Sequence, residues 1–391
     1  MERVQVLIVG AGPVGAFAAY SLSLAGIDVR LVEAASHCHE DMRASTIHPP
    51  TLDMLAEVGL LDALEAQGLR APIYQYRNRR TNEVLSFDLT ELGDISNYPY
   101  RLQCEQFKLA RLATSRIADL VKFDEKLVYC EDDGNAVNVI CERRLDVTRY
   151  RADYVVAADG ANSLIRKLLG VQFEGFTYPE KFLTLSTTYP IEKHFENLEK
   201  VAYVADRDEW CVLLRVPDFW RVLVPASPDL LDKYLLSDAN KNKVFAGLLG
   251  VDGEAIKTSH RTIYRVHQRV AQKYNHGRII LAGDAAHLNN PLGGFGMNSG
   301  IHDAWNLVDK LKRILNDGQE AEPLLALYNR QRRQIMNEVI QAQTITNHDD
   351  MVDADRQQEK LAKVLADPEK RRNYLLQQSM YQSRAREAEI A

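Results

Sequence analysis

The sequence predicts an α/β fold: a buried parallel sheet with an inserted antiparallel-sheet domain and a helical C-terminus. Three observations predict it. Residues 4–9 (VQVLIV) form a short apolar run that enters a glycine-rich turn, as expected of a strand buried on both faces of a parallel sheet. Residues 153–158 and 278–282 repeat this run-then-turn pattern, and each run leads into adjacent Gly and Asp. Between them, residues 173–270 change style. Segments rich in Thr, Tyr, Val and Trp are linked by turns there, which is the pattern of antiparallel strands.

Taken in order, the first strand leads to a helix over residues 13–25. Pro13 suits a first helical turn and Gly26 a helix stop. Residues 27–32 read as the second strand and end on Glu33. A helix follows over residues 50–59. Residues 77–100 look like strands leaving the first unit, and a helix over 105–118 brings the chain back. Residues 121–131 and 136–142 read as a hairpin joined through Asp132-Asp133-Gly134-Asn135. Residues 297–315 form a helix with Ile301, Ala304, Trp305, Val308 and Leu311 on one face. The last seventy residues read as helical and increasingly charged, which predicts frayed final turns.

Bulk properties exclude several classes. The chain has 391 residues, room for two or three structural units. Its 46% hydrophobic and 26% charged content is that of a soluble globular protein. The net charge is −6, with no basic stripe for nucleic acid and no polybasic tail for anionic lipid. No apolar run approaches a membrane span, and the N-terminus enters the first strand directly, so neither membrane anchor nor signal peptide is expected. Cys38, Cys104, Cys130, Cys141 and Cys211 are scattered, odd in number and without metal-ligand spacing. They read as reduced thiols of a cytoplasmic protein, and no metal site is expected.

The chemistry lies in three motifs. The first is Gly10-Ala11-Gly12-Pro13-Val14-Gly15 with Glu33 downstream. Gly10 makes the tight turn, Gly12 admits a diphosphate, and Gly15 lets the helix pack on the strand. The Glu33 carboxylate can accept hydrogen bonds from both hydroxyls of an adenosine ribose, and it would repel a 2′-phosphate. A lone GxGxxG is also a simple turn before a helix. The strand, the helix and the acid at the right distance favour a dinucleotide. The second motif is Asp159-Gly160-Ala161-Asn162-Ser163, with Arg166 beyond it. A turn capped by Ser163 explains Gly160 and Ser163 but not Asp159 and Arg166 together. The third is Gly283-Asp284-Ala285-Ala286-His287, running into Pro291-Leu292-Gly293-Gly294-Phe295-Gly296-Met297-Asn298. Asp284 can bind a ribityl hydroxyl, and a helix N-terminus offers free N–H groups to a reduced flavin.

With these motifs the chain resembles the class A flavoprotein monooxygenases, the para-hydroxybenzoate hydroxylase-like aromatic hydroxylases, over roughly residues 3–340. The segment Gly175-Phe176-Thr177-Tyr178-Pro179-Glu180 resembles their nitrophenol and phenol hydroxylase branch. The resemblance implies a Rossmann-type FAD-binding domain (residues 1–76, 101–172 and 270–315), an inserted antiparallel-sheet substrate domain (77–100 and 173–269) and a C-terminal helical segment (316–391). It implies one non-covalent FAD, held by Gly10, Gly12, Gly15, Glu33, Asp159, Gly283, Asp284, Gly294, Gly296, Met297 and Asn298. Arg43 stands where the family places an arginine near the pyrophosphate, and Gln106 where it has a ribityl-contacting glutamine. Leu127 is counted with the cofactor contacts.

The activity implied is hydroxylation of a small phenolic or hydroxypyridine-type aromatic through a C4a-hydroperoxyflavin. O2 and transient NADH or NADPH are co-substrates, since no second GxGxxG follows the first. A homodimer is the expected assembly. A tailoring or quinone-pathway hydroxylase of the same fold is the alternative. A flavin halogenase is disfavoured because Trp220-Arg-Val-Leu-Val-Pro225 lacks the second tryptophan, and a non-enzymatic flavin protein because the motifs are intact. His48 is the candidate base for a phenolic proton, against the plainer reading that it caps the next helix. Pro291 matches a proline that abuts the flavin ring and touches a substrate hydroxyl. Tyr203, Trp210, Arg215, Trp220 and Arg221 lie on the inserted sheet that should cover the substrate; strand alternation lets only some face the pocket, and Tyr203, Trp210 and Arg215 are the candidate contacts. His287 is read as structural.

Overall fold

The computed structural model describes residues 1–40, 42, 44–205 and 209–391. The strand Glu2–Val9 lies at the centre of an eight-stranded sheet, parallel to Val29–Val32 on one side and to Asp146–Ala157 on the other. Ile279–Leu281 continues the parallel set beyond Asp146–Ala157. Register decides what this sheet can do. Val9 pairs with both Val32 and Ala157, and Ala157 pairs with Leu281. The residues that follow these strands are the Gly10 turn, Glu33, Ala158-Asp159 and Ala282-Gly283-Asp284. All three motifs therefore meet at one carboxyl edge, where open α/β sheets bind ligands.

The expected hairpin is modified. Val121–Lys122 pairs parallel with Val29–Val32 at the sheet edge, and the antiparallel pair is Lys126–Asp132 with Val137–Arg143. Asp124, at φ 57°, breaks the strand between them. The strand Asp146–Ala157 pairs antiparallel with Val137–Arg143 from Asp146 to Ala152 and parallel with Glu2–Val9 from Tyr150 to Ala157.

A second eight-stranded sheet holds Phe173–Thr187, Val201–Ala205, Trp210–Arg215, Trp220–Ala226 and His260–Ala271, extended by Ile73–Asn78 and Val84–Asp88 at one edge and His287–Leu288 at the other. The crossing from the first sheet thus begins at Ile73, with Tyr203 paired to Tyr76 in a parallel register. Alternation along the strands divides the residues between two cores. Phe182, Tyr203, Val212 and Leu223 face one side. Leu183, Ala202, Cys211, Leu213, Trp220 and Val222 pack on the other, with Phe245 of the helix Asp238–Leu249.

The C-terminal turns are not frayed. Helices run to Tyr381–Glu389, and Glu387 is buried against Arg332. Gln331 Nε2 donates to the carbonyl of Ile390 at 3.0 Å. Part of the charge that suggested fraying is paired across the fold, Arg371 with Glu91 and Arg372 with Asp94. No helix among the described residues is long and apolar enough to cross a membrane.

Candidate active site

The first motif builds a cradle for a diphosphate. Gly10 has φ 104°, and a Cβ there would run into the carbonyl of Ala158, so only glycine closes this turn. Gly15 packs directly against the Gly10 carbonyl. Gly12 caps the helix Pro13–Leu24 with no side-chain acceptor, and nothing stands within 4 Å of where its Cβ would be. The free N–H groups of that helix therefore open onto empty space, which is what an anion requires. Glu33 accepts from Ala11 N–H at 2.7 Å through Oε2 and from Ala35 N–H at 2.9 Å through Oε1. The carboxylate is thus aimed and held by the loop, and each oxygen keeps a lone pair for a ribose hydroxyl. Glu33→Arg is expected to weaken FAD binding about tenfold or more, since charge-assisted bonds contribute roughly 1.5–3 kcal/mol each. Flavin fluorescence on titration measures it, and an unchanged affinity would remove Glu33 from the site.

Arg43 lies outside the described residues. Gln106, the first residue of the helix Gln106–Arg116, lines the cavity described below. Leu127 does not line it: the residue is buried in the hairpin, paired with Cys141.

Asp159 accepts from Ile165 N–H at 3.2 Å through Oδ2, while its buried Oδ1 has no hydrogen-bond partner. Burial pushes its carboxyl above the usual value. An unspent buried carboxylate oxygen is a free acceptor, although Asp159, unlike Ala158 and Gly160, does not line the cavity described below. Arg166 ties this motif to the third. Its guanidinium donates to the carbonyls of Ala285 at 2.8 Å and Ala161 at 2.7 Å.

Asp284 faces the cavity, and its neighbour Gly283 is anchored from behind. Asp303, fully buried, accepts from Gly283 N–H at 3.0 Å, from His287 Nε2 at 2.7 Å and from Arg332 Nε at 2.7 Å. Arg332 also pairs with Glu387. His287 is therefore structural, as the sequence suggested.

The loop before the long helix Phe295–Leu315 is pinned by two asparagines. Asn290 N–H donates to Gln268 Oε1 at 2.9 Å, and its Nδ2 to the carbonyl of Thr344 at 2.8 Å. Asn298 spends its whole side chain on the backbone. Its Oδ1 accepts from His48 N–H at 2.9 Å, and its Nδ2 donates to the carbonyls of Thr46 at 2.9 Å and Gly294 at 2.7 Å. The Asn298 side chain is thus a clamp rather than a cofactor contact. Pro291, Gly294, Gly296 and Met297 do line the cavity.

His48 is corrected most. It is wholly buried, absent from the cavity wall, and stacked on Phe295 with ring centroids 5.3 Å apart. Its Nε2 donates to the carbonyl of Gly293 at 2.7 Å, which places the proton on that nitrogen. Burial, then the charge of Arg101, pushes the imidazole down to about 3, against the raising effect of the Gly293 bond. A neutral ring behind the glycine loop is a brace, not a base for substrate.

The cavity itself has a volume of about 370 Å³. One end is walled by Gly12, Pro13, Ser45, Gln106, Gly160 and Asp284 from the motif edge. The other end is walled by the second sheet, with Tyr203, Val212, Leu214, Arg221, Leu223 and Tyr264. Pro291 and the glycine loop lie between the two. Of the sheet residues expected to face substrate, Tyr203 lines the cavity. Trp210 has the right alternation but packs against Phe182, with ring centroids 5.5 Å apart, beyond the cavity. Arg215 is on the opposite face, its guanidinium donating to the carbonyl of Val216 at 2.9 Å and lying 5.9 Å from the Trp220 ring. Arg221, in the register position opposite Leu214, lines the cavity instead, as does Arg265 on the strand His260–Ala271. Arg221 is buried and donates to Ser45 Oγ at 2.9 Å.

These residues fit a flavin dinucleotide from end to end: an open helix N-terminus for the diphosphate, an aimed Glu33 for ribose, an unspent Asp159 oxygen, and Asp284 beside a glycine loop. The chain matches the family described as FAD binding domain over residues 3–343. It belongs to that family. It is 31% identical over 350 residues to the 6-hydroxy-3-succinoylpyridine 3-monooxygenase of Pseudomonas putida, covering 88% of each chain. It is 28% identical over 358 residues to the para-nitrophenol 4-monooxygenase of a Pseudomonas species, covering 90% of this chain and 88% of that protein. The crystal structure of p-nitrophenol 4-monooxygenase from Pseudomonas putida superposes with a TM-score of 0.91 at 27% identity, over 97% of this chain and 99% of that one. The protein is a flavoprotein monooxygenase with FAD as its cofactor. Its fold is the α/β arrangement expected from sequence, with a helical C-terminus.

Proposed function

We propose that this flavoprotein monooxygenase hydroxylates a small phenolic or hydroxypyridine-type aromatic, consuming O2 and NADH or NADPH. The observation that carries this reading is the continuity of the cavity. The motif edge, where a flavin belongs, opens without a barrier onto a mostly apolar chamber whose polar side chains include Thr184, Tyr203, Arg221, Tyr264, Arg265 and His267. A flat ring fits between the aliphatic side chains of Val212, Leu214 and Leu223, with a hydroxyl directed at the polar groups. This is the usual composition of a small-molecule site. Bound FAD supplies reducing equivalents and oxygen activation. The chain's part is to bind the ring, orient its hydroxyl and exclude water. The relatives named above, which act on a hydroxypyridine and a nitrophenol, support the same class of substrate.

The test is a panel of phenols and hydroxypyridines scored for stimulated NAD(P)H consumption matched by hydroxylated product. At least one single-ring compound is expected to give both. Oxidation of NAD(P)H at one rate with and without every compound would reassign the protein as an oxidase or reductase.

A further inference from the structure

The turn at residues 291–294 carries one buried backbone group that the protein leaves unused. Gly294 N–H donates to the carbonyl of Pro291 at 3.0 Å, and Gly293, third in the turn, has φ 100°. That is the signature of a type II turn. Almost every backbone group from Asn290 to Gly294 is paired. Asn290 N–H donates to Gln268 Oε1, and the Asn290 carbonyl accepts from Asn289 Nδ2 at 2.8 Å. Leu292 N–H donates to Asn290 Oδ1 at 3.1 Å. The carbonyls of Leu292, Gly293 and Gly294 accept from Asn347 Nδ2 at 3.2 Å, His48 Nε2 at 2.7 Å and Asn298 Nδ2 at 2.7 Å. The exception is Gly293 N–H. It has no partner among the described residues, although Gly293 is buried and lines the cavity. Orphaned buried N–H groups are rare in native proteins, so this one points to a ligand.

The direction of this N–H is set from behind. A trans peptide holds its C=O and N–H in opposite directions. The Leu292 carbonyl points at Asn347 on the helix Ala342–Val352, so Gly293 N–H points away from that helix. The space around the glycine gives the same orientation independently. A Cβ on Gly293 would run into the Phe295 ring and meet Asn347 Nδ2 at 2.8 Å. Asn347 and Phe295 therefore fill the back of Gly293 and leave its other side to the cavity, which Asn347 does not line. Asn347 is itself buried, and its Oδ1 accepts from Gln343 Nε2 at 2.7 Å and Gln378 Nε2 at 3.2 Å. With the oxygen so occupied, the NH2 is turned to the loop. The π-helical turn Met336–Gln341 sets the phase of this helix, as such turns do at functional sites. Gln341, Thr344 and Asn347, three residues apart, thereby meet Leu288, Asn290 and Leu292, two apart.

We infer that Asn347 is a positioning residue that locks the Leu292-Gly293 peptide and so aims Gly293 N–H at the bound flavin. The cavity runs from the motif edge at Asp284 to this turn, where the ring end of a flavin belongs. A fixed donor there stabilises the electron-rich reduced ring more than the oxidised one, which raises the reduction potential. A peptide turned over would put a carbonyl oxygen in its place and act in the opposite sense. The C-terminal segment, through Gln378 and Asn347, thus has a part in the cofactor's chemistry as well as in the core.

The experiment uses the FAD-loaded protein and two measurements. The first is the reduction potential of bound FAD, by equilibration with a reference dye. Asn347→Leu removes the donor, keeps a similar volume and adds no charge. It is expected to lower the affinity for reduced FAD relative to oxidised FAD about threefold to tenfold, read as a more negative potential. A merely structural asparagine would cost melting temperature or FAD occupancy and leave the potential of the remaining bound FAD where it was, which overturns the inference. The second measurement is the crystal structure of the unaltered FAD complex, which stands even where Asn347→Leu fails to fold. Gly293 N–H is expected to bond the flavin, directly or through one ordered water, with the Leu292 carbonyl still on Asn347. A Gly293 N–H that meets neither, or a Leu292-Gly293 peptide turned over in that complex, overturns the inference and leaves the FAD assignment intact.

Discussion

Replacing Asp303 with Ala is expected to prevent the accumulation of folded, FAD-bound protein. Asp303 has no exposed surface, and its two oxygens take three donors from three different segments: the backbone of Gly283, the ring of His287 and the guanidinium of Arg332. Removing it strands the Arg332 charge in the core with only Glu387 to answer it. Breaking a buried pair in this way typically costs about 3–5 kcal/mol, a large share of the roughly 5–15 kcal/mol of a whole domain. The damage falls on the site first, because Gly283 N–H adjoins Asp284 at the cavity edge. Asp303→Asn should be milder but still defective, since an amide can accept from Gly283 while facing Arg332 with less charge.

The pH dependence follows from the same contacts. Burial raises the Asp303 carboxyl, and the charges of His287 and Arg332 outweigh it, so the group is held below its usual value. A depressed carboxyl gives stability that is present above its unfolded pKa of about 3.9 and lost as pH falls through the folded value. Thermal melts with and without added FAD, from neutral pH into the acid range, test both statements. Normal yield and melting temperature for Asp303→Ala would show the network to be dispensable.

How much of this was legible in the sequence varies by residue. Gly10, Glu33, Asp159 and Asp284 could be read because each follows a run of β-branched residues, and strand ends are where a parallel sheet delivers its chemistry. The long helix after the glycine loop was legible from its apolar face. Asp303 left a weaker signal, a charge set between Ile301 and Ala304 on that face, which could have been found by asking what neutralises it. Arg101 left none. It sits in a three-residue strand, and only the tertiary approach of the Tyr74 ring gives it a neighbour. Arg215 and Arg221 were equally plausible by composition. The strand turn at Val216–Phe219 sets which face each takes, and that phase cannot be counted from residue types alone. The charged tail looked frayed because its partners, Asp303 on the long helix and Asp53 on the helix Pro49–Glu57, are distant in sequence.

His48 is the residue whose reading changed most, and its substitution separates the two accounts. His48→Leu is expected to weaken FAD occupancy and turnover by the same factor at every pH. The carbonyl of Gly293 would lose its donor inside the protein, and an orphaned buried acceptor costs about 1–3 kcal/mol. That cost loosens the Gly293-Gly294 loop, which faces the cavity and has φ values of 100° and 74° that depend on being held. His48→Gln keeps an N–H of similar reach, so it should retain more FAD than His48→Leu although an amide cannot act as a base. Stability should carry a separate signature. The folded imidazole is pushed down to about 3, while the unfolded one titrates near 6.5. The unfolded chain therefore takes up a proton that the folded chain refuses, and stability falls as pH drops from about 6.5 toward 3. Replacing His48 removes that part of the slope. Flavin titrations and turnover measured across pH for both variants decide the matter. A general base would give a loss that fades once the substrate ionises unaided, and it would leave His48→Gln no better than His48→Leu. That pattern would return the imidazole to the catalytic step.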